Sequence, residues 1–188
     1  MHAASLEHVA DLLGIERSAH KALPPAELVE KFDAILSAAQ RYLRAFPPEH
    51  IGATVPRREQ RDMRQLGYHV FAIADDLIGI KEGGTYVQGN GPVPESVRTF
   101  DDIVAYGDDV RGRLRSWYAK QAPELWSTLR TTSYGAFPMH WYLERATWHS
   151  GQHSRQLIEM LRSAGVEAPD ALPARFFAGL PMPNAVWD

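Results

Sequence analysis

The sequence predicts an all-α chain, a four-helix bundle, and three observations carry that prediction. Proline and glycine cut the chain into blocks, four long blocks repeat apolar residues every three or four positions, and strand-like alternation is confined to short runs. At 188 residues the chain can fill one ordinary core and is too short for two large ones. With 45% apolar and 23% charged residues it sits near globular averages, which excludes disorder and collagen-like structure. No internal repeat or low-complexity tract is present.

The spacing divides the chain into an N-terminal extension (1–23), a bundle (24–165) and a C-terminal tail (166–188). In the extension, SLEHVADLLGI at 5–15 reads as one short helix. The first bundle helix runs from about Ala26 to Phe46, bounded by Pro24-Pro25 and Pro47-Pro48, with Leu28, Phe32, Ile35, Ala39 and Tyr42 on one stripe. The second is predicted over 57–81, opened by Pro56 and closed by Gly83-Gly84, with Leu66, His69, Ile73, Leu77 and Ile80 facing inward. One histidine therefore lies in an apolar stripe.

The third helix begins near Thr99, an N-cap with Asp102 three residues on, and turns Phe100, Ile103, Gly107, Val110, Leu114 and Trp117 toward a partner. Gly107 would let a neighbouring group approach closely. The fourth starts at Pro138 and stops at Gly165, with Met139, Tyr142, Ala146, His149, His153, Gln156 and Met160 on one face. The link 82–98 is long enough for a crossover, whereas 47–56 more comfortably joins antiparallel neighbours. The link 121–137 is also long, so length alone leaves the topology open. The tail is proline-rich yet holds Phe176, Phe177, Leu180 and Trp187, which predicts packing on its own domain or on a second subunit.

Composition narrows the partners. Twenty Lys and Arg interleave with 23 Asp and Glu for a net charge of -3, which argues against nucleic acid and anionic membrane. The chain shows no signal-peptide pattern and no membrane-length apolar run, so a cytoplasmic location is expected. It has no cysteine, which removes disulfides, thiolate ligands and a cysteine nucleophile together. Any thiol chemistry must use an external thiol.

HSGQH at 149–153 puts two histidines at i and i+4, about 5 to 6 Å apart on one helical face. Alone, the pair reads first as core or surface histidines satisfied by hydrogen bonds or water. Both, however, fall on the inward face, where each unpaired ring costs roughly 1 to 3 kcal/mol, and a metal satisfies them together. His69 lies midway along its block and the pair near the middle of its own, so at about 1.5 Å per residue all three reach similar depth whichever way the helices run. Ser150 stands where HExxH metalloproteases carry their glutamate, which disfavours that type of peptide hydrolysis. Three imidazoles without a fourth protein ligand leave an open coordination position.

LGYHVF with His69, and WHSGQHSRQL with His149 and His153, resemble the DinB-like superfamily of metal-dependent enzymes. That family includes bacterial thiol S-transferases and mycothiol-dependent maleylpyruvate isomerases, and the resemblance covers about residues 24–165. It implies a four-helix bundle with a long crossover between helices 2 and 3, often homodimeric, binding one divalent metal, zinc or nickel foremost, through His69, His149 and His153. It also implies a low-molecular-weight thiol acting on a small-molecule substrate. SLEHVADLLGI looks like the last helix of glutaredoxin-like modules that precede this domain in some relatives.

The expected function is thus a metal-dependent thiol transferase or isomerase. A non-catalytic metal-stabilised bundle and a hydrolase using metal-activated water stand beside it. Arg145, one turn before His149, and Gln156, three residues after His153, are candidates to hold a bound anion or thiol cofactor; a surface ion pair and a core-edge amide are their alternatives. Asp76, two turns after His69, could orient a ligand or take a proton, though Asp75-Asp76 also reads as a solvated helix edge. Tyr68, Trp141 and Trp148 flank the histidines and could wall a pocket, but aromatic residues at helical spacing are more often core, and no role is assigned to them. His2, His8, His20, His50 and His140 are read as structural or surface groups, and no catalytic acid or base is assigned.

Overall fold

Four helices and two small antiparallel hairpins make up the structure, a computed structural model that describes residues 21–81, 91–132 and 135–187. The short helix expected at 5–15 lies outside the described residues. Helix α1 spans Pro25–Ala45, with proline in its first turn and the chain turning extended at Phe46, as the flanking prolines dictate. Helix α3 spans Phe100–Ala119 and begins in a full capping box between Thr99 and Asp102. Helix α4 spans Met139–Ser163, and Gly165 follows it at φ +73°.

The second block departs from the expected 57–81. Helix α2 is Met63–Lys81, and the residues before it form strand β2, Arg58–Asp62, paired with β1, Thr54–Val55. Two local causes account for the shift. Arg57 takes a left-handed φ of 57°, which turns the chain back on itself between Val55 and Arg58. Asp62 then caps the helix: its Oδ1 accepts from Gln65 N at 2.8 Å while Gln65 Oε1 accepts from Asp62 N at 2.9 Å. A second hairpin, β3 Leu129–Thr132 with β4 Gly135–Pro138, occupies part of the long link between α3 and α4. Tyr142, fully buried, donates from below to the carbonyls of Arg130 and Gly135, both at 3.2 Å.

Around the core, α1 packs against α4 and α3, while α2 packs against α3 and α4. Helices α1 and α2 meet only slightly and so lie on a diagonal, rather than side by side as the 47–56 link suggested. A 3-10 turn at Pro48–Gly52 and the first hairpin supply the extra reach. Gly107 does the work its position predicted: a Cβ there would stand 2.8 Å from the Phe71 ring. Beyond α4 the tail folds back on its own domain, with Leu180 buried and Phe177, Met182 and Trp187 packed against the core. No helix among the described residues is long and apolar enough to cross a membrane.

Candidate metal centre

Helices α2 and α4 run side by side, and one hydrogen bond fixes how they register. Ser150 Oγ donates to the Val70 carbonyl at 2.9 Å, and these residues are the chain neighbours of His149 and His69. The three histidines consequently converge. Ring centroids lie 5.3 Å apart for His69 and His149, 4.6 Å for His69 and His153, and 4.7 Å for His149 and His153. One nitrogen from each falls within 4.8 Å of the others.

The donor set suits a metal ion on geometry as well as on chemistry. His149 Nε2 and His153 Nε2 stand 3.1 Å apart. Two nitrogens on one tetrahedral zinc, at 2.0–2.1 Å each, are about 3.3 Å apart. Burial holds the pKa of His149 down to about 3, with the charges of His69, Arg145 and Arg61 adding to the effect. His153 is pushed well below its usual value by burial and by its two histidine neighbours, against a smaller opposing pull from Gln156. Both rings are therefore neutral at pH 7 and present lone pairs. His149 Nδ1 is buried without a hydrogen-bond partner, an unsettled group that leaves this ring the least constrained of the pair.

A cavity of about 260 Å³ opens against His149 and His153. The first hairpin contributes Val55, Pro56, Arg57 and Arg61 to its lining; α4 contributes Trp148, Gln152 and Gln156; the tail contributes Pro183 and Trp187.

The other residues singled out in the sequence are placed as follows. Arg145 does not line the cavity; its guanidinium lies 5.7 Å from the Trp141 ring centroid and 5.3 Å from that of Trp148, a cation between two aromatic faces. Gln156 does line it, but His153 Nδ1 lies 2.7 Å from its Oε1 and Val186 O lies 2.9 Å from its Nε2. Asp76 is not in the lining, while Asp75 binds Tyr106 and Arg113. His140 Nε2 is 2.7 Å from the Leu23 carbonyl, a structural contact. Sequence reasoning passed over Arg57, Arg61, Pro183 and Trp187 as site residues. The Asp62–Gln65 capping box was the available signal, since it ends the helix at Met63 and frees the preceding residues to form a hairpin beside the histidines.

Among solved structures the chain is similar to the mycothiol-dependent maleylpyruvate isomerase and to a histidine-to-alanine variant of that enzyme. Each gives a TM-score of 0.57 at 16% identity, over 87% of this chain and 70% of the other. The chain has that isomerase's fold. The DinB-like helical fold read from His69 and the 149/153 pair is thus the fold observed. No protein-family model and no curated protein matches the sequence.

Proposed function

We propose that the protein is a metal-dependent enzyme that activates a low-molecular-weight thiol for transfer to, or isomerisation of, a small electrophile. The observation that carries this reading is the convergence of three imidazoles beside an open cavity. His69, His149 and His153 would hold one divalent ion, zinc or nickel, both of which suit imidazole donors. When bound, the ion supplies Lewis acidity that lets a thiol ionise near neutral pH. The thiol comes from outside, because the chain has no cysteine. The thiol dependence named for the isomerase of the same fold supports that choice.

The chain's own residues do the selecting. Arg57 and Arg61 both line the cavity, and guanidinium groups there suit a thiol or an electrophile that carries an anionic group, a carboxylate foremost. Trp148 and Trp187 give the same cavity apolar faces that displace water from around the reacting groups. Access to His149 and His153 from the cavity favours this reading over a purely structural metal site. A homodimer in the cytoplasm belongs to the same reading, and sedimentation of the purified protein tests the dimer.

Elemental analysis beside the His149→Ala variant tests the site, followed by turnover with zinc or nickel in the presence and absence of thiol. About one ion per chain, lost in the variant, is the expected result for a three-histidine site. Thiol-dependent turnover supports the transferase or isomerase reading, and turnover without thiol replaces it with a hydrolase. No metal after reconstitution overturns the reading.

A further inference from the structure

A side-chain amide is ambiguous by shape, because its oxygen and nitrogen look alike in outline, but the partners of Gln156 leave one assignment. Its Nε2 stands 2.9 Å from the Val186 carbonyl oxygen. A carbonyl oxygen only accepts, so the amide NH2 must face Val186 and the amide oxygen must face His153. That oxygen, Oε1, lies 2.7 Å from His153 Nδ1 and likewise only accepts. His153 Nδ1 must then carry the proton. A neutral imidazole has one ring proton, so the lone pair falls on Nε2, the nitrogen that faces His149 at 3.1 Å.

The segment that supplies the Val186 carbonyl is itself held in place by side chains. Gln152 Nε2 donates to the carbonyls of Ala185 at 2.9 Å and Val186 at 2.6 Å. Arg155 donates to Pro183 O at 2.8 Å and Asn184 O at 3.2 Å, and Arg57 donates to Trp187 O at 3.3 Å. Every carbonyl from Pro183 to Trp187 thus accepts from a side chain of α4 or the first hairpin. Gln152 and Gln156 are buried beneath it, where an unpaired amide is costly, so the two glutamines and the strap satisfy one another.

We propose that Gln156, seated by the Val186 carbonyl, is a positioning residue that holds His153 as its Nδ1–H tautomer, which makes the strap Pro183–Trp187 a working part of the histidine site. The value of that tautomer rests on the metal reading above, because only Nε2 faces the other histidines; the tautomer itself is a property of the metal-free protein. Releasing the strap frees the Gln156 amide to turn over, and with it the constraint on His153. The strap also carries Pro183 and Trp187 into the cavity wall, so ligand geometry and cavity shape are set by one element.

Nitrogen NMR of the full chain, labelled in histidine and free of metal, reads the tautomer directly. The parent is expected to show His153 protonated on Nδ1. Gln156→Leu should mix the tautomers and weaken zinc binding about 10- to 100-fold. Gln156→Glu keeps the acceptor for Nδ1–H while losing the donor to Val186, so it should retain the tautomer. Combined Gln152→Leu and Arg155→Leu loosens the strap with Gln156 intact, and mixed tautomers there support the strap's part. Circular dichroism confirms that each variant keeps its helices. An Nε2–H tautomer in the parent, or an unchanged tautomer in Gln156→Leu, overturns the role of Gln156; an unchanged tautomer in the double variant overturns that of the strap. A parent that binds no zinc yet shows the Nδ1–H tautomer leaves this inference standing and removes the metal reading instead.

Discussion

Ser150 Oγ donates to the Val70 carbonyl at 2.9 Å, and through that bond the helix carrying the histidine pair is pinned to the helix carrying the third histidine, one residue from each. Both helices are buried at this level, where a slip of one against the other would separate His69 from His149 and His153. A hydroxyl here therefore serves alignment, in the position where a metalloprotease helix would carry a general base.

Replacing that hydroxyl tests the alignment. Ser150→Ala is expected to cost about 1 kcal/mol in denaturant unfolding, the usual net worth of a buried hydrogen bond. Zinc affinity should fall as well, because the ligands lose their common register. Ser163→Ala removes an exposed hydroxyl bonded to Glu159 O and should stay within about 0.5 kcal/mol of the parent. A Ser150→Ala protein with unchanged stability and unchanged zinc affinity would show that packing alone sets the register.

Acid should destabilise the metal-free protein through the same histidines. The folded pKa of His149 is held down to about 3 from a usual 6.5, with burial the leading cause, so between those values the unfolded chain takes up a proton that the folded one refuses. Stability is fully present above pH 6.5 and declines below it, at up to about 1.4 kcal/mol per pH unit for each such ring. From pH 6.5 to pH 5 the loss attributable to His149 is about 2 kcal/mol at most. Thermal melts of the metal-free protein across this range check it, and His149→Gln should flatten the slope. A parent whose melting temperature is constant from pH 7.5 to pH 5 would contradict the buried, neutral assignment.

The histidines were legible because their signal is periodic: His69, His149 and His153 fall on inward stripes, and helical rise alone puts them at one depth. The helix ends were legible where proline, glycine or a Thr99 cap marks them. What periodicity cannot show is a contact between distant segments of irregular chain. Gln152 lies off the inward stripe that holds His149, His153 and Gln156, yet both glutamines are buried, because the strap from Pro183 to Trp187 covers that edge with backbone carbonyls. Strand β2, a run of charged and polar residues, has no apolar alternation to announce it, and its pairing is set by the turn at Arg57. These two segments supply much of the cavity wall, so the three-histidine cluster could be read from the sequence and most of its surroundings could not.

Gly107 is the tightest point in the packing of α3 on α2. A Cβ there would sit 2.8 Å from Phe71 Cε1 and 2.9 Å from Cζ, which forces the ring or the helix to move. Gly107→Ala gains about 1 kcal/mol of helix propensity and loses about 1 to 3 kcal/mol to overpacking, and Phe71 is fully buried with nowhere to retreat. A net loss of about 1 kcal/mol or more in denaturant unfolding is expected. Gly112→Ala, on the same helix with open space around it, should be neutral or stabilising.

Arg61 should read the charge of whatever occupies the cavity. It lies in the lining together with Arg57, and its charge is felt by both His149 and His153. A carboxylate binding there gains a charge-assisted contact in the ground state and the transition state alike, so removing the arginine should act on KM more than on kcat. Arg61→Gln is expected to raise KM for a carboxylate-bearing partner about 10-fold, equivalent to about 1.4 kcal/mol of binding, while KM for its neutral ester changes little. Arg61→Lys keeps the charge but not the planar fork and should recover part of the loss. Equal effects on acid and ester would mean that Arg61 supports the hairpin rather than the ligand, and the anionic substrate class would then rest on Arg57 alone.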